Sequence, residues 1–186
     1  MSMTAAIGGL LLTLAGFFSF TRKAEAAALA FTGKIPPQQV RALAAAQIKK
    51  YSFNVTPDMA AAIAIIESGD VSFPSNGCNP KATRFEAHIP DTSIGLMQTL
   101  LGTAQWLAKD MGYKALGVPT HNALLNGETS LYFGLAYLDY LSKYKNAGRS
   151  QDWIVQSYNA GPGRAASAYL KKYKTALTWV QQNGSK

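Results

Sequence analysis

The helical spacing of apolar residues is the feature that most constrains the fold of this chain. Six stretches carry apolar residues at helical spacing, and almost none alternate between apolar and polar positions. Because alternation is typical of half-buried strands, the sequence predicts a mostly α fold. The chain has 186 residues and 48% hydrophobic content, which is enough for one compact domain with a real core and excludes a disordered chain.

The predicted helices begin and end at recognisable signals. The first covers residues 37–51 and starts at Pro36-Pro37. The second starts at Thr56-Pro57-Asp58, contains the apolar run 60–66, and stops at Gly69. Residues 69–93 are rich in Gly, Pro, Asn and Ser and predict a long functional loop. Further helices are expected over residues 99–111, over 122–145 as one helix or a pair, from a cap at Ser150 to Gly161, and over 164–181.

An uncharged apolar run covers residues 3–20 and is followed by Arg22 and Lys23. Four interpretations stay open: a removable export signal, a signal anchor, a segment that inserts into a membrane, or a buried helix of the domain. The first three put the rest of the chain outside the cytoplasm or at a membrane. We therefore divide the chain into this segment (1–26), a linker (27–36) and a folded domain (37–186), with membrane contact expected through residues 3–20.

The net charge and the small number of metal-ligating side chains limit the classes of partner that the chain is expected to bind. The formal charge is +8, and residues 143–186 hold eight Lys or Arg but one acid. Such a region attracts polyanions or is an ordinary solvated surface. Nucleic acid is not expected, since no basic recognition motif with interleaved aromatics is evident. His88 and His121 are far apart and Cys78 is the sole cysteine, so the sequence predicts no intramolecular disulfide, no metal site and no cofactor.

Three short segments carry the strongest functional signal. They are "IIESG" at 65–69, "SIGLMQT" at 93–99 and "SYNAGPGR" at 157–164. In this order they resemble the catalytic domain of lytic transglycosylases of the soluble type, which is related to goose-type lysozymes. The resemblance covers about residues 50–175. It implies a lysozyme-like helical domain that binds peptidoglycan glycan strands and cuts them, in the cell envelope, either periplasmic or membrane-anchored, or on a phage virion.

The chemistry of glycan cleavage gives a reason for Glu67 at the end of an apolar helix. Its proton must go to the leaving oxygen, so the carboxyl has to stay protonated near neutral pH. Ile63, Ile65 and Ile66 precede it and would remove water, and the helix C-terminus disfavours an anion. The resemblance implies that Glu67 then accepts the proton of the muramic acid C6 hydroxyl, which leaves a 1,6-anhydro end on the sugar without a second carboxylate.

The resemblance also implies which residues bind the substrate. Gly95 permits close backbone approach, Gln98 offers a donor and an acceptor to sugar or backbone, and the Tyr158 hydroxyl can bond the catalytic carboxyl. Leu96 is expected in the core, while Met97 is either core or cleft. The predicted substrate-binding set is Ser68, Gly95, Met97, Gln98, Tyr158 and Asn159.

Departures from the family pattern leave the reaction outcome open. Asp70 stands where an aromatic residue is common, and the 69–93 loop is longer than in compact members. That loop adds acids, of which Asp91 is the candidate second carboxylate; an ion pair with Arg84 or Lys81 is the alternative. If Asp91 positioned a water, the chain would be a hydrolytic muramidase. A non-catalytic wall-binding or membrane-delivery module is the remaining alternative.

Overall fold

A computed structural model describes residues 33–183. Within that range the chain forms seven α-helices and one three-stranded antiparallel sheet, which confirms the mostly α prediction. In chain order the elements are α1 Pro37–Tyr51, α2 Pro57–Ser68, β1 Thr83–Glu86, β2 Asp91–Ile94, β3 Thr99–Leu100, α3 Leu101–Lys109, α4 His121–Leu124, α5 Gly127–Ser142, α6 Gln151–Ala160 and α7 Ser167–Asn183.

Helix α2 lies at the centre of the core. Every residue from Met59 to Ile65 is buried, and the helix packs chiefly against α1 and α7. Its start is as predicted, because the Thr56 side chain accepts a hydrogen bond from the Met59 N–H, and Pro57 occupies the first turn. A helix that is apolar on all sides must be covered on all sides, so α2 is a fixed support for the residues at its C-terminal end.

The predicted apolar stretch 122–145 is a helix pair. The Thr120 side chain caps α4 and the Asn126 side chain caps α5, where it accepts hydrogen bonds from two backbone N–H groups. Leu125 lies between the two helices. Leu125, the C-cap of α4, and Asn126, the N-cap of α5, separate the two helices, and most of α5 is buried. Helix α5 therefore forms a second buried support, against which α4 and α6 pack.

The prediction of a loop over residues 69–93 was wrong for its second half. Strands β1 and β2 form an antiparallel hairpin there, with Thr83 paired to Ile94 and Glu86 paired to Asp91. Strand β3 then pairs with β2, so α3 begins at Leu101. Three of the four β1 residues are exposed, and a strand without a buried face carries no alternating pattern in its sequence.

One residue of the predicted linker packs against the folded domain. Ile35 was expected in the linker, but only 1% of its surface is exposed. It exchanges two backbone hydrogen bonds with Cys78, each 2.8 Å from nitrogen to oxygen. The predicted apolar segment 1–26, its membrane contact through residues 3–20, and linker residues 27–32 lie outside the described residues. Between residues 33 and 183 no helix is both long and apolar enough to cross a membrane.

Candidate active site

A groove with a volume of about 490 Å³ lies between the β1–β2 hairpin and the C-terminal ends of α2 and α6. Four of the predicted site residues border it: Glu67, Gln98, Tyr158 and Asn159. Charged residues that had no assigned substrate role border it as well, namely Arg84, Glu86, His88 and Arg164. The three motif segments, far apart in the chain, therefore meet at one concave surface.

Glu67 is the last but one residue of α2 and is partly exposed where it faces the groove. The surrounding protein removes water from the carboxyl and raises its pKa from 4.5 to about 7. A hydrogen bond from Tyr169 and the charge of Arg84 act in the opposite direction, while the negative charge of Glu86 adds to the rise. Near neutral pH the carboxyl is therefore protonated in a large fraction of molecules.

The residue that holds Glu67 is Tyr169, which the sequence analysis did not identify. Its hydroxyl donates a hydrogen bond to Glu67 Oε1 at 2.6 Å. Tyr169 is buried in the first turn of α7, and burial together with the Glu67 charge raises its pKa well above 10, so it remains a donor. No other described residue hydrogen-bonds the Glu67 carboxyl. Oε2 is therefore the oxygen without a protein partner.

Tyr158 was expected to bond the catalytic carboxyl and does not. Its hydroxyl donates instead to the backbone oxygen of Met97 at 2.9 Å. The ring borders the groove beside Glu67. Tyr158 therefore ties α6 to the Gly-Leu-Met-Gln segment, while a different tyrosine from the next helix contacts the acid.

The Gly-Leu-Met-Gln segment is held mainly by the core. Gly95 has a positive φ of 76°, and a Cβ atom there would lie 2.1 Å from the Leu124 backbone oxygen. The close approach at Gly95 is thus to α4 rather than to an open surface. Leu96 is in the core as expected, and Met97 is fully buried against Gly134. Gln98 borders the groove, and its Nε2 donates to two backbone oxygens.

Ser68 and Asn159 occupy different surroundings. The Ser68 hydroxyl donates to the Leu96 backbone oxygen at 2.7 Å. This bond joins the end of α2 to the Gly-Leu-Met-Gln segment and fixes the position of Glu67 relative to it. Asn159 is exposed and borders the groove. Ser68 thus contacts the protein backbone, whereas Asn159 faces the open groove.

Comparison with known proteins identifies the family of this chain. Residues 44–180 match the family model described as the transglycosylase SLT domain. The chain belongs to this family. It is also 36% identical over 75 residues to the soluble lytic murein transglycosylases of Escherichia coli K12 and of Escherichia coli O157:H7. These matches cover 40% of this chain and 11% of each relative, so the chain spans a small part of the curated relatives.

Asp91 lies apart from the groove of this SLT domain. Its Oδ2 accepts a hydrogen bond from the Gly102 N–H at 2.9 Å and its Oδ1 accepts one from the Thr92 N–H at 2.7 Å. Asp91 therefore caps the N-terminus of α3, where a negative charge is stabilising. It does not border the groove, and it pairs with neither Arg84 nor Lys81.

Glu86 is the second carboxylate in the groove of the SLT domain. Its Oε1 accepts hydrogen bonds from Arg84 Nε at 2.6 Å and from the Ser93 hydroxyl at 3.1 Å. These donors, Arg84 first, lower the pKa of Glu86, so the group stays ionised. The nearest partner of Oε2 is His88 Nδ1 at 3.9 Å, too far for a hydrogen bond. Glu86 is one of the acids that the 69–93 loop adds, but the candidate chosen from the sequence was Asp91.

The described part of the chain contains no cluster of three or more His, Cys, Asp or Glu side chains that could hold a metal ion. His88 borders the groove, and His121 starts α4 elsewhere. Cys78 is fully buried, which raises the pKa of its thiol to about 12. The groups that the groove presents are therefore two carboxyls, two guanidinium groups, an imidazole and polar amide and hydroxyl groups.

Proposed function

We propose that this SLT domain cleaves the β-1,4-glycosidic bond between N-acetylmuramic acid and N-acetylglucosamine in peptidoglycan. The observation that carries the proposal is the state of Glu67: a carboxyl with a pKa of about 7, at a groove, with one oxygen held by Tyr169. A general acid works best when its pKa lies near the operating pH. The matched relatives are soluble lytic murein transglycosylases, which supports the same substrate.

In the first step Glu67 gives its proton to the bridging oxygen. The bond between that oxygen and the anomeric carbon of muramic acid breaks, and positive charge develops on the sugar. Because Oε1 accepts the Tyr169 hydrogen bond, we assign the transferred proton to Oε2. The nearby ionised carboxylate of Glu86 favours the positively charged sugar.

In the second step the Glu67 carboxylate takes the proton of the muramic acid C6 hydroxyl. The freed oxygen forms a bond with the anomeric carbon and closes a 1,6-anhydro ring. Glu67 ends as it began, protonated, and no water is consumed. One acid therefore suffices, and the proposed reaction needs no cofactor.

The other predicted site residues divide into two groups in this proposal. Gln98, Tyr158 and Asn159 border the groove and are proposed to contact the glycan. Ser68, Gly95 and Met97 contribute by holding the Gly-Leu-Met-Gln segment in place, because their contacts are with the protein. Peptidoglycan lies outside the cytoplasm, so we propose that the chain works in the cell envelope or from a virion.

The test is the mass of the products released from purified sacculi. The proposal expects soluble fragments whose muramic acid ends are one water lighter than reducing ends. A Glu67→Gln variant should release them about a thousandfold more slowly, while an Asp91→Asn variant, whose carboxylate lies outside the groove, should release them at the normal rate. Normal release by the Glu67→Gln variant would refute the assignment. Binding to sacculi without release by the unaltered chain would favour a non-catalytic module.

A hydrolytic muramidase is the second candidate, and Glu86 is the observation that favours it. Its Oε2 lacks a hydrogen-bond donor among the described residues. If that oxygen held a water, the water would bond to the anomeric carbon, its proton would pass to Glu86, and the Glu67 proton would go to the leaving oxygen. Products with reducing ends, converted to anhydro ends by Glu86→Gln, would establish this alternative.

A further inference from the structure

The groove holds three basic side chains in different situations. Arg84 Nε forms an ion pair with Glu86 Oε1 at 2.6 Å. His88 Nδ1 lies 3.9 Å from Oε2 of the same carboxylate. The Arg164 guanidinium makes no hydrogen bond or ion pair with any residue between 33 and 183. It borders the groove and is exposed. Arg164 is therefore a groove cation whose charge is not used within the described structure.

The loop that carries Arg164 is fixed by helix α6. The Gly163 N–H donates to the Ser157 hydroxyl at 3.1 Å, and the Ala166 N–H donates to Gln156 Oε1 at 3.0 Å. The Arg164 N–H closes a turn onto the Gly161 backbone oxygen at 3.1 Å. These bonds anchor the Arg164 backbone at the end of the groove, so less conformational freedom is lost when its side chain binds a ligand.

A second, separate depression lies along helix α7, which begins three residues after Arg164. Ala165 and Ala166 separate Arg164 from Ser167, the first residue that borders the depression. The depression is shallow and also borders Lys171 and Lys174. Lys174 is paired with Asp152 at 2.8 Å, but the Lys171 ammonium group has no partner in the described residues. Arg164 at the groove and Lys171 on helix α7 are thus two cations without a partner among the described residues.

We propose that Arg164 and Lys171 form a carboxylate-binding track that selects anionic glycans over neutral ones. The proposal rests on the proposed function and specifies its substrate class. A guanidinium group binds a carboxylate through two parallel hydrogen bonds, and the lysine adds a point charge. In a peptidoglycan strand, carboxylates are carried by the lactyl groups of the sugars or by the attached peptides. A neutral N-acetylglucosamine oligomer has neither.

Binding by a chain that does not cut its ligand tests the track separately from catalysis. In a Glu67→Gln background, the Kd for soluble peptide-bearing glycan strands is measured at low salt. Arg164→Gln should weaken binding about tenfold, given the usual strength of a charge-assisted hydrogen bond and some solvent screening. Lys171→Gln should weaken binding about threefold on the same scale. The matched control, Lys114→Gln, removes one exposed charge that borders neither depression and should change little.

Two ligand preparations separate the sources of the carboxylate. Strands stripped of peptide by an amidase keep the lactyl carboxylates, and subsequent amidation of those groups removes the charge. If Arg164→Gln weakens binding to stripped strands as well, the lactyl group is the ligand; if it weakens only peptide-bearing strands, the peptide is. Either result supports the track. In both cases the neutral N-acetylglucosamine oligomer should bind all variants equally weakly.

Equal affinity of Arg164→Gln and Lys114→Gln for charged strands would overturn the proposal. Arg164→Lys, which retains the charge but not the planar fork, should recover part of the affinity, and unchanged thermal melting should show that the variants are folded. With Glu67 intact, Arg164→Gln should raise KM for charged strands and leave kcat unchanged. Strong binding without any cleavage would contradict the proposed function but leave the track standing.

Discussion

Glu67 and Glu86 face the same groove from two different kinds of structure. Glu67 lies at the end of a helix whose central residues are buried, with one hydroxyl as its hydrogen-bond partner. Glu86 lies on a mostly exposed strand, with a guanidinium group and a hydroxyl on one oxygen. Burial raises the pKa of the first to about 7, and Arg84 lowers the pKa of the second. Two identical side chains are thereby given different protonation states at one pH.

The contrast shows that the neighbours of a carboxyl, rather than its residue type, assign the chemical role. Loss of water disfavours the charged form, whereas donors and cations favour it. Pairs of acids whose pKa values are pushed apart in this way are typical of glycan-cleaving sites. The helix wall of the groove is therefore suited to supply a proton, and the hairpin wall is suited to stabilise positive charge.

The largest effect is expected from removing the carboxyl of Glu67 on the helix wall of the groove. Glu67→Gln should lower the rate of fragment release about a thousandfold, because positioned acid–base groups contribute on that scale. The measurement is the initial rate of fragment release from purified sacculi at pH 6. Asp70→Asn, a change at an exposed acid just beyond the helix, is the matched control and should retain most of the activity. A rate within tenfold of the unaltered chain would exclude Glu67 as the acid.

The same variant should also change how stability depends on pH. The pKa of Glu67 is about 7 in the folded chain against 4.5 without burial, so the folded state binds the proton more tightly. The free energy of unfolding therefore falls as pH rises between these values. Gln does not titrate, so the Glu67→Gln variant avoids this loss. Its free energy of unfolding should exceed that of the unaltered chain by about 3 kcal/mol at pH 8 and by little at pH 4. Denaturant titrations at both pH values measure the difference, and an equal gain at both would contradict it.

Tyr169→Phe removes the hydroxyl that donates a hydrogen bond to Glu67, and so tests how much that bond contributes to the difference between the two carboxyls. The Tyr169 hydrogen bond lowers the pKa of Glu67, so its loss should move the high-pH limb of the rate profile to higher pH. The rate should fall about fivefold, the scale of one hydrogen bond. The control is Tyr158→Phe, which loses a bond to Met97 instead. A limb that moves in the control but not in Tyr169→Phe would reverse the two assignments.

Glu86→Gln should give the smallest change, in the opposite direction. The Glu86 charge raises the pKa of Glu67, and Arg84, left without its partner, lowers it. The high-pH limb should therefore move to lower pH, with a rate loss of about threefold at neutral pH on the scale of one screened charge. Rate profiles of Glu86→Gln and Asp91→Asn, measured side by side, provide the test. A shift confined to Asp91→Asn would return the second carboxylate to that residue.

Helix prediction succeeded where the signals are local. The Thr56 cap, the Pro57 first turn and the stop at Gly69 follow from neighbouring residues, and all three are present. The cap at Ser150 and the end of α6 at Gly161 are present for the same reason. The β1–β2 hairpin was missed because β1 is mostly exposed, so its pairing with β2 depends on hydrogen bonds between residues that no spacing pattern connects.

The partners of the candidate acid needed the folded chain. Tyr169 is 102 residues from Glu67 in the sequence, and nothing in its neighbourhood distinguishes it from Tyr173, the other tyrosine of the last helix. Glu86 and Asp91 lie in one hairpin, yet they form a cross-strand pair in which only Glu86 borders the groove. Asp91 was chosen because it is close to the Gly-Leu-Met-Gln segment in the sequence. Closeness in sequence does not show which side chain of the hairpin faces the groove.

The amino-acid order alone was enough to predict most of the helices and the family and to name Glu67 as the candidate acid, since these predictions depend on short-range spacing and on three compact motifs. Only the folded structure showed that Tyr169 rather than Tyr158 bonds Glu67, and that Glu86 rather than Asp91 borders the groove. The exposure of Arg164 likewise depends on how the chain packs. Protonation depends on which atoms remove water from a group and which donate to it, and those atoms come from segments that meet only when the chain folds.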